Sequence, residues 1–314
     1  MTVDDAGHVS FPEQGMPLIW LLGQPRLSDY LAFVETRTIG GPLTNQRELV
    51  SEWQWANDLY WELETAEAGI ADTISCEVAG PELADAKAKI IADPHFRETY
   101  DSLPVSFEFV ELDKLIVSQL HVEPSYLGQL PEAAASDRAD QKLFQFCLPT
   151  ERPMPPVSIS RLASNRYLFS SMSTDLRSHE IRLLKGEDAQ GMKPTGPVAG
   201  LVGVTVGFGS NLISGIRSGT RVLLQNGHHR AYALRAAGFT HCWCAIETVT
   251  RKDELRLTAD EDVINDPEFY FAAKRPPLLK DFFDERFAKT LMIRFMRTEV
   301  EVEISVRSWT STAY

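Results

Sequence analysis

Four cysteines in 314 residues, Cys76, Cys147, Cys242 and Cys244, are too few and too scattered for a disulfide framework. No apolar run approaches the ~20 residues needed to cross a bilayer; the stretch from Pro17 to Gly23 is among the longest. The first fifteen residues carry Asp4, Asp5 and Glu13 and lack the basic-then-apolar layout of a signal peptide. With 19 glycines and 18 prolines the chain is neither low-complexity nor collagen-like. Positive charge is also scarce: 31 basic residues face 44 acidic ones, a net charge of −13. A broad grip on a phosphate backbone needs a basic surface, so nucleic acid is not the expected partner. A local basic pocket for one small anion is compatible with the same balance. No repeat of fixed period occurs, which argues against a solenoid or propeller. The expectation is a soluble cytoplasmic protein with no membrane partner, self-association being left open.

What is present is ordinary globular material, 44% hydrophobic and 24% charged. The first hundred residues read as mostly helical. Asn45 and Glu48 have capping-box spacing, and Leu49, Trp53, Ala56, Tyr60 and Leu63 follow at helical steps. Trp53, Trp55 and Trp61 lie on or near that stripe. Core packing is the expected use of such aromatics and a ligand box the less favoured one. Gly80-Pro81 opens a second helix with Ala84, Ala88 and Ile91 on its apolar face, and Asp93-Pro94 should end it. From Val105 the period becomes two: Val105, Phe107 and Phe109 alternate with Ser106 and Glu108, a strand with one buried face. Residues 112–130 read as an extended segment that enters a short helix at Pro124. After a proline-rich break at Pro149 to Pro156, strands are predicted near 157–159, 167–170 and 180–184. A glycine-rich loop (Gly200, Gly203, Gly207, Gly209) then leads to a hairpin turning at Ser218-Gly219. Further strands fall at 221–224 and 242–249. A long last one sets Val300, Val302, Ile304 and Val306 against Glu299, Glu301 and Glu303, the wet face of an edge strand. The fold class is α+β. Residues 1–104 form a helical region, 105–250 a domain with an insertion at about 131–210, and 251–314 an extension.

The chemistry concentrates in Leu223 to Gly238, "LLQNGHHRAYALRAAG". An apolar strand stops at Asn226-Gly227 and a helix starts at once. Such a junction aims free backbone N–H groups and the positive end of a helix dipole at one spot. Gly227 would let a ligand approach closely, and His228, His229 and Arg230 would add donors, a seat for phosphate. The alternative is a plain strand-to-helix turn with solvent-exposed histidines. Adjacent histidines at a helix start cannot share a metal as an i, i+4 pair does, so no metal ligands are assigned. Upstream, Gln119, His121 and Glu123 occupy alternate positions and face one way if extended. Beside the Gly227 turn, Glu123 or His121 would be placed to take a proton from a substrate hydroxyl; otherwise Glu123 merely opens a helix. Arg217 and Arg221 flank the hairpin turn and would reach the phosphates, or else be solvated. Cys242, Cys244 and Ile246 share a strand face, which suggests buried thiols. Gly207 and Gly209 do not continue into a dinucleotide fingerprint, because Leu212 occupies the third glycine's place.

The box Asn226-Gly227-His228-His229-Arg230, with its strand before and helix after, resembles the signature of the ParB/sulfiredoxin-like superfamily. It is closest to the Asp-Gly-His-His-Arg box of the ParB-like free serine kinases. "VELDKLIVSQLHVEPSYLGQL" is similar to that family's first motif, and the likeness covers about Val105–Leu130 and Asn211–Val249. It implies a mixed-sheet core and a nucleotide-dependent enzyme that transfers a phosphoryl group to a small molecule or hydrolyses the nucleotide. ATP, ADP or another nucleotide would be bound, with Mg²⁺. Asn226, Gly227, His228, His229 and Arg230 would surround the phosphates; Glu123, His121 and His229 would be catalytic. Gln119, Arg217 and Arg221 would be auxiliary. Asn226 replaces the kinase box's acid, and His228 stands where sulfiredoxins have their cysteine, so sulfinic-acid repair is not expected. A nuclease using His229 and Glu123 on DNA or RNA, and a non-catalytic nucleotide- or partner-binding module, are the other readings.

Overall fold

A computed structural model describes residues 2–3, 9–10, 15–24, 26–130, 139–151, 154–185 and 196–312. Its strands are β1 (Thr2–Val3), β2 (Val9–Ser10), β3 (Met16–Leu21), β4 (Cys76–Val78), β5 (Val105–Glu111), β6 (Ile116–Val117), β7 (His121–Val122) and β8 (Val157–Ala163). They continue with β9 (Arg166–Ser171), β10 (Leu176–Lys185), β11 (Gly200–Phe208), β12 (Ser214–Ser218), β13 (Arg221–Asn226), β14 (His241–Val249), β15 (Ala288–Ile293) and β16 (Thr298–Glu303). The α-helices are α1 (Leu27–Arg37), α2 (Gln46–Ala66), α3 (Ala84–Ala92), α4 (Pro94–Thr99), α5 (Gln141–Cys147), α6 (His228–Ala236), α7 (Glu261–Asn265) and α8 (Pro267–Phe271). The chain is thus α+β with several sheets. Among the described residues, no helix is long and apolar enough to cross a membrane.

A six-stranded mixed sheet, in the order β4-β5-β14-β12-β13-β6, forms the heart of the larger unit, Met1–Arg152 with Ser210–Arg294. The β12–β13 hairpin turns through Gly219, at φ +62°, where a residue without Cβ is favoured. β14 lies parallel to β12, and β6 parallel to β13. β5 sits between β4 and β14 and is buried on both faces from Phe107 to Val110, not on one as its alternation predicts. Phe107 and Phe109 meet Phe96, Phe144 and Trp243 on one side. On the other, Glu108 is buried against Arg217, whose two terminal nitrogens donate to its carboxylate at 2.6 and 2.5 Å.

The helices follow their caps more closely than their predicted faces. Asn45 caps α2 by accepting from the Arg47 N–H at 3.1 Å and donating to Glu48 at 2.9 Å. Leu49, Ala56 and Tyr60 are buried, whereas Trp55 and Trp61 are exposed. Each of those tryptophans stands one residue beside a buried position, about 100° round the helix. The buried pair here is Leu83, which caps α3, and Ile90 within it, and Ala84, Ala88 and Ile91 face out, one step from the predicted stripe.

The unit is locked by an ion cluster with a buried pair, Arg275 and Asp281, at its centre. Arg275, whose side chain is fully buried, donates to both oxygens of Asp281 at 2.5 and 2.6 Å and to Glu67 at 3.1 and 3.2 Å. Asp281 also accepts from Tyr60 at 3.1 Å and from the Leu278 N–H at 2.9 Å, and Lys280 meets Glu67 at 2.7 Å. Each buried charge therefore has an opposite charge and hydrogen bonds.

The second unit is Pro153–Gly209 with Phe295–Tyr314. It contains a three-stranded sheet, β16-β9-β8, and a two-stranded ribbon, β10-β11. The segment predicted as a glycine-rich loop is β11: Val202, Val204 and Val206 alternate there and β-branched residues favour the strand despite the glycines. The last strand is shorter than predicted. It ends at Glu303, leaving Ile304 and Val306 exposed, with Glu299, Glu301 and Glu303 on its exposed face. The compact units do not follow the sequence boundaries at 104/105 and 250/251. Strand pairing is non-local: β3, β15 and β7 form one sheet, which draws the two ends of the larger unit onto its middle.

Candidate functional site

At the end of β13 the chain turns through Gly227, at φ +90°, into α6. A Cβ there would lie 2.8 Å from the Ile213 side chain, so the glycine answers a backbone and packing need rather than leaving room for a ligand. Asn226 braces the turn. Its Oδ1 accepts from the Gly227 N–H at 2.8 Å, and its amide donates to the Ser210 carbonyl. Among the described residues helix α6 has no side-chain cap, and its first turn holds no acidic residue. The N–H groups of His228, His229 and Arg230 are therefore orphan donors at its positive end.

The parallel pairing of β6 with β13 lays the following segment, 118–129, over this helix start. His229 is the meeting point. Its Nδ1 accepts from the Glu123 N–H at 2.9 Å, and its ring stacks on Tyr126 at 5.4 Å and 14°. Burial, with help from His121 and Arg230, lowers its pKa to about 4, so the ring is neutral near pH 7. A neutral imidazole whose Nδ1 accepts carries its proton on Nε2. That Nε2 lies 3.4 Å from Nε2 of Gln119, itself a donor held by the His121 carbonyl at 2.7 Å. Two N–H groups thus converge on one place, which an acceptor oxygen would satisfy. Glu123 is half-buried, its carboxylate has no partner among the described residues, and burial raises its pKa.

Other residues assigned to the site from sequence have different employment. His228 is buried: its Nε2 accepts from the Gln119 N–H at 3.4 Å and its other nitrogen donates to the Leu224 carbonyl. Burial lowers its pKa to about 3, so it is a neutral clasp between β13 and residue 119 rather than a phosphate donor. Arg230 is also buried, and its Nη1 donates to the carbonyls of Phe146 and Cys147 at 3.2 and 3.3 Å. It stabilises the C-terminal end of α5, where a cation is favourable. His121 stacks on Trp20 at 5.6 Å and 5°, and burial and Arg37 lower its pKa to about 4. Its ring lies among aromatics, because β7 spans only two residues and does not keep 119, 121 and 123 on one face.

Arg217 is committed to Glu108. Arg221 is held by Asp72 at 2.7 and 3.0 Å and by the Ala273 carbonyl at 2.7 Å. It begins β13, roughly 16 Å from Asn226 at the usual rise per residue. Neither arginine is placed for a phosphate at α6. The thiols of Cys242 and Cys244 are fully buried and burial raises their pKa. Among the described residues no group of three or more His, Cys, Asp or Glu side chains is arranged to hold a metal ion. Sequence reasoning missed Tyr126. Its signal was the spacing of three from Glu123 at a proline-initiated 3₁₀ turn, where such residues align.

In comparisons with protein-family models, curated proteins and solved structures, nothing matches this chain.

Three neutral histidines, His228 buried and His121 and His229 partly so, make stability acid-sensitive. Unfolded histidines bind protons below the ordinary 6.5, whereas the folded ones wait until about 4, 3 and 4. Between those limits the unfolded state holds more protons, so stability is full above pH 6.5 and falls as the pH drops toward 4. The slope should approach roughly 1.4 kcal/mol per pH unit for each histidine. Glu123 acts oppositely over a narrower range above 4.5. Urea midpoints measured from pH 7.5 to 4.5 should decline steeply; a flat profile would contradict neutral burial.

Proposed function

We propose that the chain binds a nucleoside phosphate at the start of α6 and transfers or hydrolyses its terminal phosphoryl group. The supporting observation is the first turn of α6, without a side-chain cap among the described residues, against which Glu123, whose carboxyl has no partner among those residues, packs through its backbone N–H beside a fixed donor, His229 Nε2–H. The backbone N–H groups of His228, His229 and Arg230 would receive phosphate oxygens. Glu123 would take the proton from the attacking hydroxyl of water or a small-molecule acceptor. The new P–O bond forms as the bridging P–O bond breaks, its electron pair leaving with the nucleoside diphosphate or equivalent product. His229 and Gln119 would donate to a non-bridging oxygen, so that catalysis rests on positioning and charge placement. This reading takes the middle of the chain as a ParB/sulfiredoxin-like domain of a cytoplasmic enzyme.

The donor set does not fit a protein-held magnesium ion. Such an ion takes carboxylates, and Glu123 cannot both hold it and accept the proton. Magnesium here would be an ion carried in on the nucleotide's phosphates.

Thermal-shift titration with ATP and ADP, with and without Mg²⁺, tests the binding half: the midpoint should rise with ligand concentration. Release of phosphate or appearance of a phosphorylated acceptor tests the catalytic half. Stabilisation without turnover across a panel of hydroxyl acceptors would make the site a binding module.

A further inference from the structure

The ribbon of the second unit joins one charged strand to one without charge. β10 carries Arg177, Glu180, Arg182 and Lys185, whereas none of the nine residues of β11 is charged. No charge occurs anywhere between Lys193 and Arg217, in a chain that is 24% charged. β11 pairs with β10 along one edge and, among the described residues, with no strand along the other. At the usual rise that open edge runs about 30 Å. Its unpaired N–H and C=O groups are a template for another strand, and proteins ordinarily blunt such edges with charge. The edge strands of the unit's other sheet carry such charges, Arg161 on β8 and Glu299, Glu301 and Glu303 on β16.

The ribbon is also incomplete as a sheet. Ile181 opposes Val204 and Leu183 opposes Val202 on one face. Ile181, Leu183 and Val202 are 72%, 78% and 62% exposed. Two strands with an apolar face are marginal in water, and a third or fourth makes them stable.

The partner that fits this edge is the edge itself. Placed antiparallel about a two-fold axis at Val204, large and small residues match: Gly200 faces Phe208, Leu201 faces Gly207, Val202 faces Val206 and Gly203 faces Thr205. No glycine faces a glycine, so each missing side chain lies beside one that can cover the gap. A Cβ at Gly203 would meet nothing within 4 Å, which leaves room for the second copy's Thr205. Two chains of net charge −13 repel where acidic surfaces meet, and in this pairing no charged residue of β11 opposes another.

We propose that β11 is a self-association edge: two copies of the chain pair through it, antiparallel, into a four-stranded sheet in the order β10-β11-β11-β10. The contact is isologous and closed. Both outer edges of the joined sheet are β10, whose charges discourage further strands from adding.

Sedimentation equilibrium of the full chain, without nucleotide and up to about 100 µM, covers the micromolar end of specific interfaces. A monomer–dimer equilibrium is expected. Val204→Lys sets two ammonium groups face to face at the axis and should weaken the dimer about tenfold or more, although it lowers each chain's negative charge. Val204→Glu should weaken it likewise. An equimolar mixture of the two variants should dimerise again, because the axis then joins opposite charges. Ile181→Lys, on the same face of the ribbon but one strand from the axis, should leave the dimer intact. In the parent, β11 amides should exchange their hydrogens more slowly as protein concentration rises, a readout that needs no variant. A parent that stays monomeric or grows past the dimer overturns the proposal, as does β11 exchange that ignores concentration. A mixture no more associated than its components removes the axis from Val204 and overturns the pairing. Equal loss in Ile181→Lys and Val204→Lys would mean that the copies stack by their apolar faces, which also overturns it. No step involves phosphate, so the outcome is independent of the α6 site.

Discussion

Glu123→Gln should slow turnover of a bound nucleotide by about 10² to 10⁴, the usual worth of a positioned general base, while leaving nucleotide affinity nearly unchanged. The substitution keeps the shape and the backbone N–H that donates to His229 Nδ1 at 2.9 Å. It removes the one lone pair basic enough to take a hydroxyl proton. Burial already holds the Glu123 pKa above its ordinary value, so ionising the carboxylate costs stability in the folded chain. The amide should therefore unfold no earlier than the parent at pH 8. A rate loss together with intact or improved stability would mark a catalytic role. Equal losses of rate and of nucleotide affinity would mark a binding role instead.

Arg275→Leu should cost about 3–5 kcal/mol, the usual loss when one partner of a buried ion pair is removed. It leaves Asp281, 2% exposed, without its counter-charge, and leaves Glu67 with Lys280 alone. Asp281 would keep only the Tyr60 hydroxyl and the Leu278 N–H. For a body of this size the unfolding midpoint should drop by roughly 10 °C. The double variant Arg275→Leu with Asp281→Leu should recover much of the loss, because it removes the stranded charge along with its partner. If the double variant is no more stable than the single one, the hydrogen bonds and not the charges hold this region together.

The two predictions rest on parts of the molecule that differ in how far the sequence reveals them. Strand, glycine, helix: that succession at 221–236 is written in local periodicity and in one residue type that tolerates φ +90°. The Asn45 cap and the two-residue hairpin turn at Gly219 are equally local. What local pattern cannot show is which way a polar side chain in the box turns. His228 and Arg230 point into the protein because Gln119 and the end of α5 are there to receive them, and those partners lie 109 and 83–84 residues away. Arg217 and Arg221 read as free cations beside a turn. Their carboxylates, Glu108 and Asp72, are 109 and 149 residues distant and arrive only by sheet pairing and loop packing. The Arg275 cluster was missed for the same reason, Glu67 being 208 residues from its guanidinium. The pairing of β3 with β15 across most of the chain is likewise invisible to local pattern.

The central claim is that negative oxygen atoms sit at the first turn of α6. Backbone amide resonances of His228, His229 and Arg230, followed while ATP is added, test it most directly. The account predicts that these three amides move together and saturably, and that the His229 Nε2–H signal sharpens as it gains an acceptor. Unmoved amides under saturating ATP, or shifts confined to other parts of the chain, would contradict it.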